Sequence, residues 1–164
     1  MKVYSFLFAT LLSVSALAAD NSSTMTKPID QRSYRLGGVG SFSEMVGVGV
    51  NTLALSAAMP PSEMDDLEPD IRRIASEAGI AAYRENDLLV SDLFPAEIAK
   101  GLDVMLLYKG DTLDQYMALK QKKAELVKNG EYKGKARKDI AREFGKLLSY
   151  PAANIEEKIA RNHK

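Results

Sequence analysis

Four short apolar runs alternate with segments of helical periodicity in this chain, and this alternation limits the fold more than any other feature. The runs span residues 52–56, 80–84, 88–94 and 104–108. Short apolar runs bounded by turn residues are typical of buried strands, whereas apolar residues that repeat every three or four positions are typical of helices. Strands that alternate with helices favour a layered α/β fold over a helical bundle or a β-sandwich.

The predicted sheet is small and mixed. Strands joined by a helix are expected to pair in parallel through right-handed crossovers. The three-residue turn at 85–87 makes the second and third strands antiparallel if they are neighbours. We therefore predict about four strands flanked by helices, with a helical C-terminal third that begins with a long helix at about 113–128. A helix that continues through residue 57 is the alternative to the first strand, because residues 53, 54 and 57 also keep a helical period.

The apolar positions of these elements predict the core. Its members should lose most of their contact with water, since burial of apolar area is the main force that stabilises a domain of this size. The predicted core consists of Leu53, Leu55, Ile71, Ile74, Leu89, Val104, Leu106, Leu107, Met117, Ile140, Phe144 and Leu147.

The first 18 residues have the parts of a secretory signal peptide. Lys2 supplies a positive charge, residues 3–17 are largely apolar, and small residues stand at Ala16 and Ala18. The apolar stretch is shorter than the roughly 20 residues that span a bilayer. We expect cleavage after Ala18, with cleavage after Ala19 as the second choice and an uncleaved membrane anchor as the alternative.

The chain is therefore predicted to contain a signal peptide at 1–18, a flexible leader at 19–33 and a single α/β domain at 34–164. The leader is expected because its residues are mostly small and polar, with little apolar surface to bury. The mature protein would be periplasmic or secreted, with no stable membrane insertion after cleavage.

Composition excludes several kinds of chemistry. The sequence has no cysteine, and its single histidine is His163. Disulfides, thiolate metal sites, a cysteine nucleophile, a triad built on histidine and a multi-histidine metal site are therefore excluded from the domain. We predict no metal site and no cofactor.

Charge is unevenly distributed although the net charge is zero. Residues 44–103 hold 12 acidic and 4 basic side chains, whereas residues 104–164 hold 14 basic and 8 acidic ones. The basic cluster of Lys135, Arg137 and Lys138 has few aromatic neighbours, so we expect no nucleic-acid partner. An envelope protein partner is the other possible use of this surface, and a solvated helical face is the simplest explanation of it.

A glycine-rich segment precedes a helix-start pattern. Residues 35–40 contain three glycines, and Ser41 with Glu44 fits a capping box. Backbone N–H groups at the start of a helix can hold a carboxylate or a phosphate. No lysine of the P-loop type follows the glycines, and an ordinary turn before a capped helix is the alternative. The predicted ligand-binding residues are Gly38, Gly40, Ser41 and Ser43.

Polar residues at strand ends are the candidates for catalysis, because ligands of open α/β sheets bind beyond the carboxyl ends of the strands. The predicted catalytic residues are Ser56, Glu85, Asp92 and Lys109. A carboxylate would act as general base with the hydroxyl or the ammonium assisting. An antiparallel middle pair would separate Ser56 and Glu85 from the other two. Ordinary ion pairing, such as that of Arg84 with Glu85, is the alternative to a catalytic role.

One further pair lies at a spacing with chemical meaning. Tyr116 and Lys120 are four residues apart, so a helix places them on one face. A neighbouring ammonium can lower the pKa of a tyrosine and prepare it for proton transfer. The chain lacks the nucleotide-binding fingerprint that would accompany such a use, so we assign this pair no catalytic role.

These observations lead to three hypotheses of function. The first is an exported soluble α/β protein that binds a small polar or anionic ligand, or serves as an accessory protein. The second is a hydrolase or lyase that uses Asp or Glu for acid–base chemistry without histidine or cysteine. The third is a protein-interaction module that uses the basic C-terminal helices.

Overall fold

The computed structural model describes residues 28–162 and shows a mixed α/β architecture in that range. The predicted signal peptide and residues 19–27 of the predicted leader lie outside the described residues. The elements follow in the order α1 (Gln31–Gly47), β1 (Leu53–Leu55), α2 (Pro61–Glu77), β2 (Ala81–Glu85), a 3₁₀ turn (Ala96–Ile98), β3 (Val104–Tyr108), α3 (Thr112–Lys128), α4 (Gly134–Leu147) and α5 (Ala152–Asn162).

The sheet has three strands in the order β1-β3-β2, and both pairings are antiparallel. The α/β class and the helical C-terminal third are confirmed, whereas the four strands and the parallel pairings are wrong. Strands β1 and β2, which α2 joins, do run in the same direction. They are not neighbours, because β3, whose residues are the most apolar of the three strands, occupies the buried centre between them.

The run at 88–94 is buried but is not a strand. It needs hydrogen-bond partners for its backbone, because an unpaired buried N–H or C=O is costly. Helices supply these partners: the Leu89 N–H donates to the Tyr116 hydroxyl at 3.0 Å, and the Asn162 side-chain amide donates to the Asp92 carbonyl at 3.0 Å. Side chains of α3 and α5 thus replace the neighbouring strand that the apolar pattern predicted.

The glycine-rich segment at 35–40 is helical, so the predicted loop is wrong. Helix α1 begins at Gln31, inside the predicted leader, with Asp30 as its N-cap. The Asp30 carboxylate accepts a hydrogen bond from the Arg32 N–H at 3.2 Å. A carboxylate at this position satisfies one of the free donors of the first turn, which is why aspartate is a favoured N-cap. The helix therefore starts ten residues before the predicted cap at Ser41.

Packing explains why α1 tolerates the glycines at 37, 38 and 40. Val39 and Val46 are buried against α2 and against the sheet. Each glycine costs about 0.5–1 kcal/mol relative to alanine in a helix. Burying two valine side chains contributes about 1.5–3 kcal/mol each, which is enough to offset that cost.

Helices cover both faces of the sheet, so the domain has three layers. Helices α1 and α2 pack on the face that carries Ala54, Met105 and Leu107. Helices α3, α4 and α5 and the segment at 86–95 pack on the opposite face, which carries Leu53, Val104 and Leu106. Of the twelve predicted core residues, eight are buried and four are half-buried, so the predicted core is confirmed.

Two glycines of α1 should respond in opposite ways to alanine. A Cβ atom added at Gly47 would lie 2.6 Å from the backbone carbonyl oxygen of Ala78, whereas one added at Gly37 meets no atom within 4 Å. We expect Gly47→Ala to destabilise the domain by about 1–3 kcal/mol and Gly37→Ala to stabilise it by about 0.5–1 kcal/mol. Urea unfolding of the two variants beside the parent protein measures both effects. Similar changes of the same sign would contradict the close approach of α1 to the end of α2.

Candidate functional site

A cavity of about 510 Å³ opens between α1, the start of α2 and the end of β1. We call it the α1 cavity. Its volume lies within the range of small-molecule sites, roughly 300–1,000 Å³. Its wall is mostly apolar, with contributions from Leu36, Val39, Phe42, Met59, Leu67 and Ile71.

Three of the eight predicted site residues meet in this cavity. Gly38 and Ser41 of α1 line one wall, and Ser56, just after β1, lines another. Gly38 and Ser41 come together because they lie three positions apart on a helix, not because they form a loop. The anion site predicted from free N–H groups at a helix start loses its basis, since these residues lie in the interior of α1.

Three of the polar side chains in the cavity wall, those of Ser41, Ser56 and Arg35, have partners inside the protein. The Ser41 hydroxyl donates to the Gly37 carbonyl at 3.1 Å, and the Ser56 hydroxyl donates to the Ala57 carbonyl at 2.9 Å. The Arg35 guanidinium lies 2.8 Å from a carboxylate oxygen of Glu63. What the cavity offers a ligand is therefore mainly apolar surface, with an ion pair at its margin.

Glycine keeps one side of the α1 cavity free of side chains. A Cβ atom added at either Gly37 or Gly38 would meet no atom within 4 Å, so nothing in the described part of the chain requires glycine there. Each glycine nevertheless costs the helix about 0.5–1 kcal/mol. Glycine at these two positions leaves the cavity wall open for a ligand, which would be a functional reason for glycine in a helix that it destabilises.

Gly40 and Ser43, the other two predicted ligand-binding residues, face a different groove. They lie between α1 and the C-terminal end of α2, beside Gly47. Ser43 is buried, and its hydroxyl has no hydrogen-bond partner among residues 28–162. The structure therefore divides the predicted ligand site between two faces of one helix.

Ser56 has a structural role at the end of β1. Besides donating to Ala57, its hydroxyl accepts a hydrogen bond from the Met105 N–H at 2.9 Å. It is buried on the face of the sheet that packs against α1 and α2. The contact with Met105 extends the pairing of β1 with β3 beyond Leu55, and both bonds commit this hydroxyl to the backbone.

Glu85 lies at the same end of the sheet as Ser56 but on the opposite face. Side chains alternate between faces along a strand, and Glu85 pairs with Val104, which faces α3. Its carboxylate is buried, lies 3.0 Å from the Lys120 ammonium and accepts the Asp87 N–H at 2.9 Å. Ser56 and Glu85 therefore cannot act on one substrate from the same side of the sheet.

Lys120 and Tyr116 do lie together, as their spacing predicted, but they do not form an activated tyrosine. Burial raises the pKa of the Tyr116 hydroxyl above its ordinary value, and the charge of Glu85 acts in the same direction. Lys120 pairs with Glu85 instead, so the structure gives no reason to assign this pair a catalytic role. Tyr116 stays protonated at physiological pH, and its hydroxyl holds the backbone of Leu89.

Asp92 and Lys109 belong to two further environments. Asp92 is buried in the segment at 86–95 and forms an ion pair with Arg137 of α4. Lys109 follows β3 at the other end of the sheet, where its ammonium donates to the Gly47 carbonyl at 3.2 Å. A cation at the C-terminal end of α1 is favourable for the helix dipole. The four predicted catalytic residues thus occupy separate places in the fold.

Arg84 does not neutralise Glu85, because adjacent strand residues face opposite sides of the sheet. Its guanidinium lies 2.6 Å from Asp65, 3.1 Å from Glu68 and 2.5 Å from Asp103. These carboxylates raise the pKa of Arg84, and the largest cause is the hydrogen bond that its guanidinium donates to Asp65. Several acidic residues of α2 that crowd the sequence are therefore engaged in holding the helix to the sheet.

The predicted basic surface is largely paired within the domain. Lys135 lies 2.6 Å from Asp139, and Arg137 pairs with buried Asp92. Arg142 of the same helix contacts Glu156 of α5 at 2.6 Å. Arg137 and Arg142 therefore join α4 to its neighbours, whereas Lys135 pairs within the helix.

Sequence reasoning missed the part of the α1 cavity contributed by Met59, Leu67 and Ile71. Helical periodicity identifies the apolar face of α2, which includes Leu67 and Ile71. It does not show which part of that face α1 leaves uncovered, because this depends on the placement of two helices in space.

Among residues 28–162, no group of three or more histidine, cysteine, aspartate or glutamate side chains is arranged to hold a metal ion. Comparison with protein-family models gives no match, and comparisons with curated proteins and with solved structures likewise give none. The functional argument therefore rests on the α1 cavity and its chemistry.

Proposed function

We propose that this protein is an exported binding protein whose small, largely apolar ligand occupies the α1 cavity. The observation that carries the proposal is the cavity of about 510 Å³ with an apolar wall and two open glycine positions. The hydroxyls of Ser41 and Ser56 support an apolar ligand over an anionic one, because both are already hydrogen-bonded within the protein. Burial of an apolar ligand here would supply the binding free energy.

Binding is favoured over catalysis by the placement of the ionisable groups. Glu85, Asp92 and Lys109 lie outside the lining of the α1 cavity, and each is held by a partner in another element. A hydrolase or lyase mechanism would require a base and an assisting group within reach of one substrate atom. The α1 cavity offers a place to bind a molecule without such a pair.

Filling the cavity from its glycine wall should abolish binding. In Gly38→Leu the new side chain would occupy the space next to the glycine, and leucine favours a helix more than glycine does. We expect the neutral fluorescent probe N-phenyl-1-naphthylamine to bind the parent protein and to bind Gly38→Leu at least about 10-fold more weakly, equivalent to about 1.4 kcal/mol. Fluorescence titration measures the dissociation constants.

Gly40→Leu is the matched control, because Gly40 lies in the same helix, also has open space beside it and does not line the α1 cavity. We expect this variant to bind the probe as the parent does. Absence of probe binding by the parent protein, or equal binding by all three proteins, would overturn the assignment of the α1 cavity.

Export is the second part of the proposal and is supported by the sequence at Lys2, residues 3–17 and the small residues Ala16 and Ala18. The expected mature protein begins at Ala19. Intact-mass measurement of the protein released by osmotic shock, or recovered from the medium, identifies its first residue. A full-length mass or confinement to the membrane fraction would contradict export by cleavage.

A further inference from the structure

A second groove, separate from the α1 cavity, lies between α3 and the irregular segment at 86–95. Its volume is about 710 Å³. We call it the lysine groove. Its floor is apolar and consists of Leu88, Leu89, Val90, Met117, Ala124 and Val127.

The side chains from α3 form one continuous face of that helix. Met117, Gln121, Ala124 and Lys128 recur every three or four residues and all line the groove. Val127 extends this face and is 54% exposed. Large apolar side chains of a helix normally face the core, so this exposure is unusual. The exposed apolar residues of α3 lie beside a second apolar wall, so an apolar chain bound between them would lose contact with water.

Three ammonium groups line the same groove, and they differ in their partners. Lys120 is engaged by the buried carboxylate of Glu85 at 3.0 Å and by Asp87 at 3.5 Å. Within residues 28–162, no carboxylate forms an ion pair with Lys123 or Lys128. These two lysines therefore leave positive charge available beside an apolar floor.

Of the two lysines that leave positive charge available, Lys123 is the better placed to bind an anionic group. It is half-buried, and its ammonium lies 5.4 Å from the centre of the Tyr132 ring. This burial lowers the pKa of Lys123 below its ordinary value, and the charge of Asp87, which also lines the groove, offsets that effect only in part. Partial removal of an ammonium from water is unfavourable unless an opposite charge offsets it. An anionic group next to Lys123 would provide that offset.

We propose that the lysine groove binds a single-chain amphiphile with an anionic head, its chain on the apolar floor and its head beside Lys123. The inference rests on the combination of an apolar strip with available positive charge, and it is independent of the ligand proposed for the α1 cavity. A neutral chain would gain only the apolar contact, and a cationic one would be repelled by the ammonium groups of Lys123 and Lys128.

The test compares amphiphiles of one chain length by isothermal titration calorimetry. Each amphiphile is kept below its critical micelle concentration or, for the alcohol, below its solubility limit. Dodecyl phosphate should bind, dodecanol should bind at least about 10-fold more weakly because it lacks the charge-assisted interaction, and dodecyltrimethylammonium should bind least. Equal affinity for the phosphate and the alcohol would overturn the proposed role of the lysines. Failure of dodecyl phosphate to bind would overturn the proposal itself.

Variants then locate the site. Lys123→Gln should raise the dissociation constant of dodecyl phosphate about 10-fold, and Val127→Asp should raise it further by placing a negative charge on the floor. Lys122→Gln is the matched control, because Lys122 is the neighbouring residue, lies outside the groove and pairs with Glu143 at 2.6 Å.

Lys122→Gln should leave binding within twofold of the parent. Equal loss in Lys122→Gln and Lys123→Gln would show attraction to net charge alone and would overturn the site. Gly38→Leu separates the two proposals, since filling the α1 cavity should not affect binding in the lysine groove. Loss of dodecyl phosphate binding in Gly38→Leu would place this ligand in the α1 cavity and contradict the groove.

Discussion

Lys120→Met is expected to lower the free energy of unfolding by about 3 kcal/mol. The variant keeps most of the apolar stem but removes the ammonium that lies 3.0 Å from Glu85. The Glu85 carboxylate is only 4% exposed, so it would remain in the interior without its cation. Removal of one partner of a buried ion pair costs about 3–5 kcal/mol, and the lower end applies because Lys120 is 24% exposed. Urea unfolding at neutral pH measures the loss.

Two further variants establish that the cost comes from the buried charge. Glu85→Gln in the Lys120→Met background removes the charge but keeps a side-chain oxygen for the Asp87 N–H, so it should restore part of the stability. Lys122→Met breaks a pair that is exposed on both sides and should cost less than about 1 kcal/mol. Equal losses in Lys120→Met and Lys122→Met, or no recovery in the double variant, would contradict this account.

Phe144→Ala is expected to cost about 3–5 kcal/mol. Phe144 is fully buried in α4, and its ring lies 5.6 Å from that of Phe94 and 5.8 Å from that of Tyr116. Its removal leaves a cavity where α3, α4 and the segment at 86–95 meet. Because the interior is closely packed, the neighbouring side chains would fill that cavity only in part. Urea unfolding provides the measurement.

Phe42→Ala is the matched comparison for this substitution. Phe42 is 40% exposed on α1 and lines the α1 cavity, so its removal deletes less buried surface. We expect a loss of about 1 kcal/mol, together with weaker binding of the neutral probe in the α1 cavity. A stability loss as large as that of Phe144→Ala would show that Phe42 is part of the core and would contradict its description as cavity wall.

Local sequence patterns predicted an element correctly where the residues of that element are enough to determine its structure. The predicted strand at 104–108 coincides with β3 (Val104–Tyr108), and the predicted helix at 113–128 starts one residue from the observed α3 (Thr112–Lys128). The first is a run of buried apolar residues between turns, and the second has helical periodicity between glycines. Both signals come from neighbouring residues, which is why they can be found without the tertiary structure.

Two failures have a common physical cause. The run at 88–94 has the composition of a strand, but Tyr116 of α3 and Asn162 of α5 supply hydrogen-bond partners for its backbone instead of another strand. The glycines at 37, 38 and 40 favour a loop, but Asp30 and the burial of Val39 and Val46 make the segment helical. In each case, contacts with distant residues outweighed the local preference by a few kcal/mol.

The candidate site was partly accessible to sequence reasoning. Gly38, Ser41 and Ser56 were identified as site residues, and all three line the α1 cavity. The reason given for the two α1 residues was wrong, because free N–H groups at a helix start are not present there. Glu85 and Asp92 were recognised as unusual polar residues, but their partners Lys120 and Arg137 lie 35 and 45 residues away along the chain.

The sequence by itself determined the α/β class, the apolar strand β3 and most of the core. These follow from periodicity and from the cost of exposing apolar side chains to water. Only the tertiary structure decided the strand order, the partners of Glu85 and Asp92 and the uncovered surface that forms the α1 cavity and the lysine groove. Each of these depends on which distant surfaces meet, and small differences in packing free energy between alternative arrangements select them.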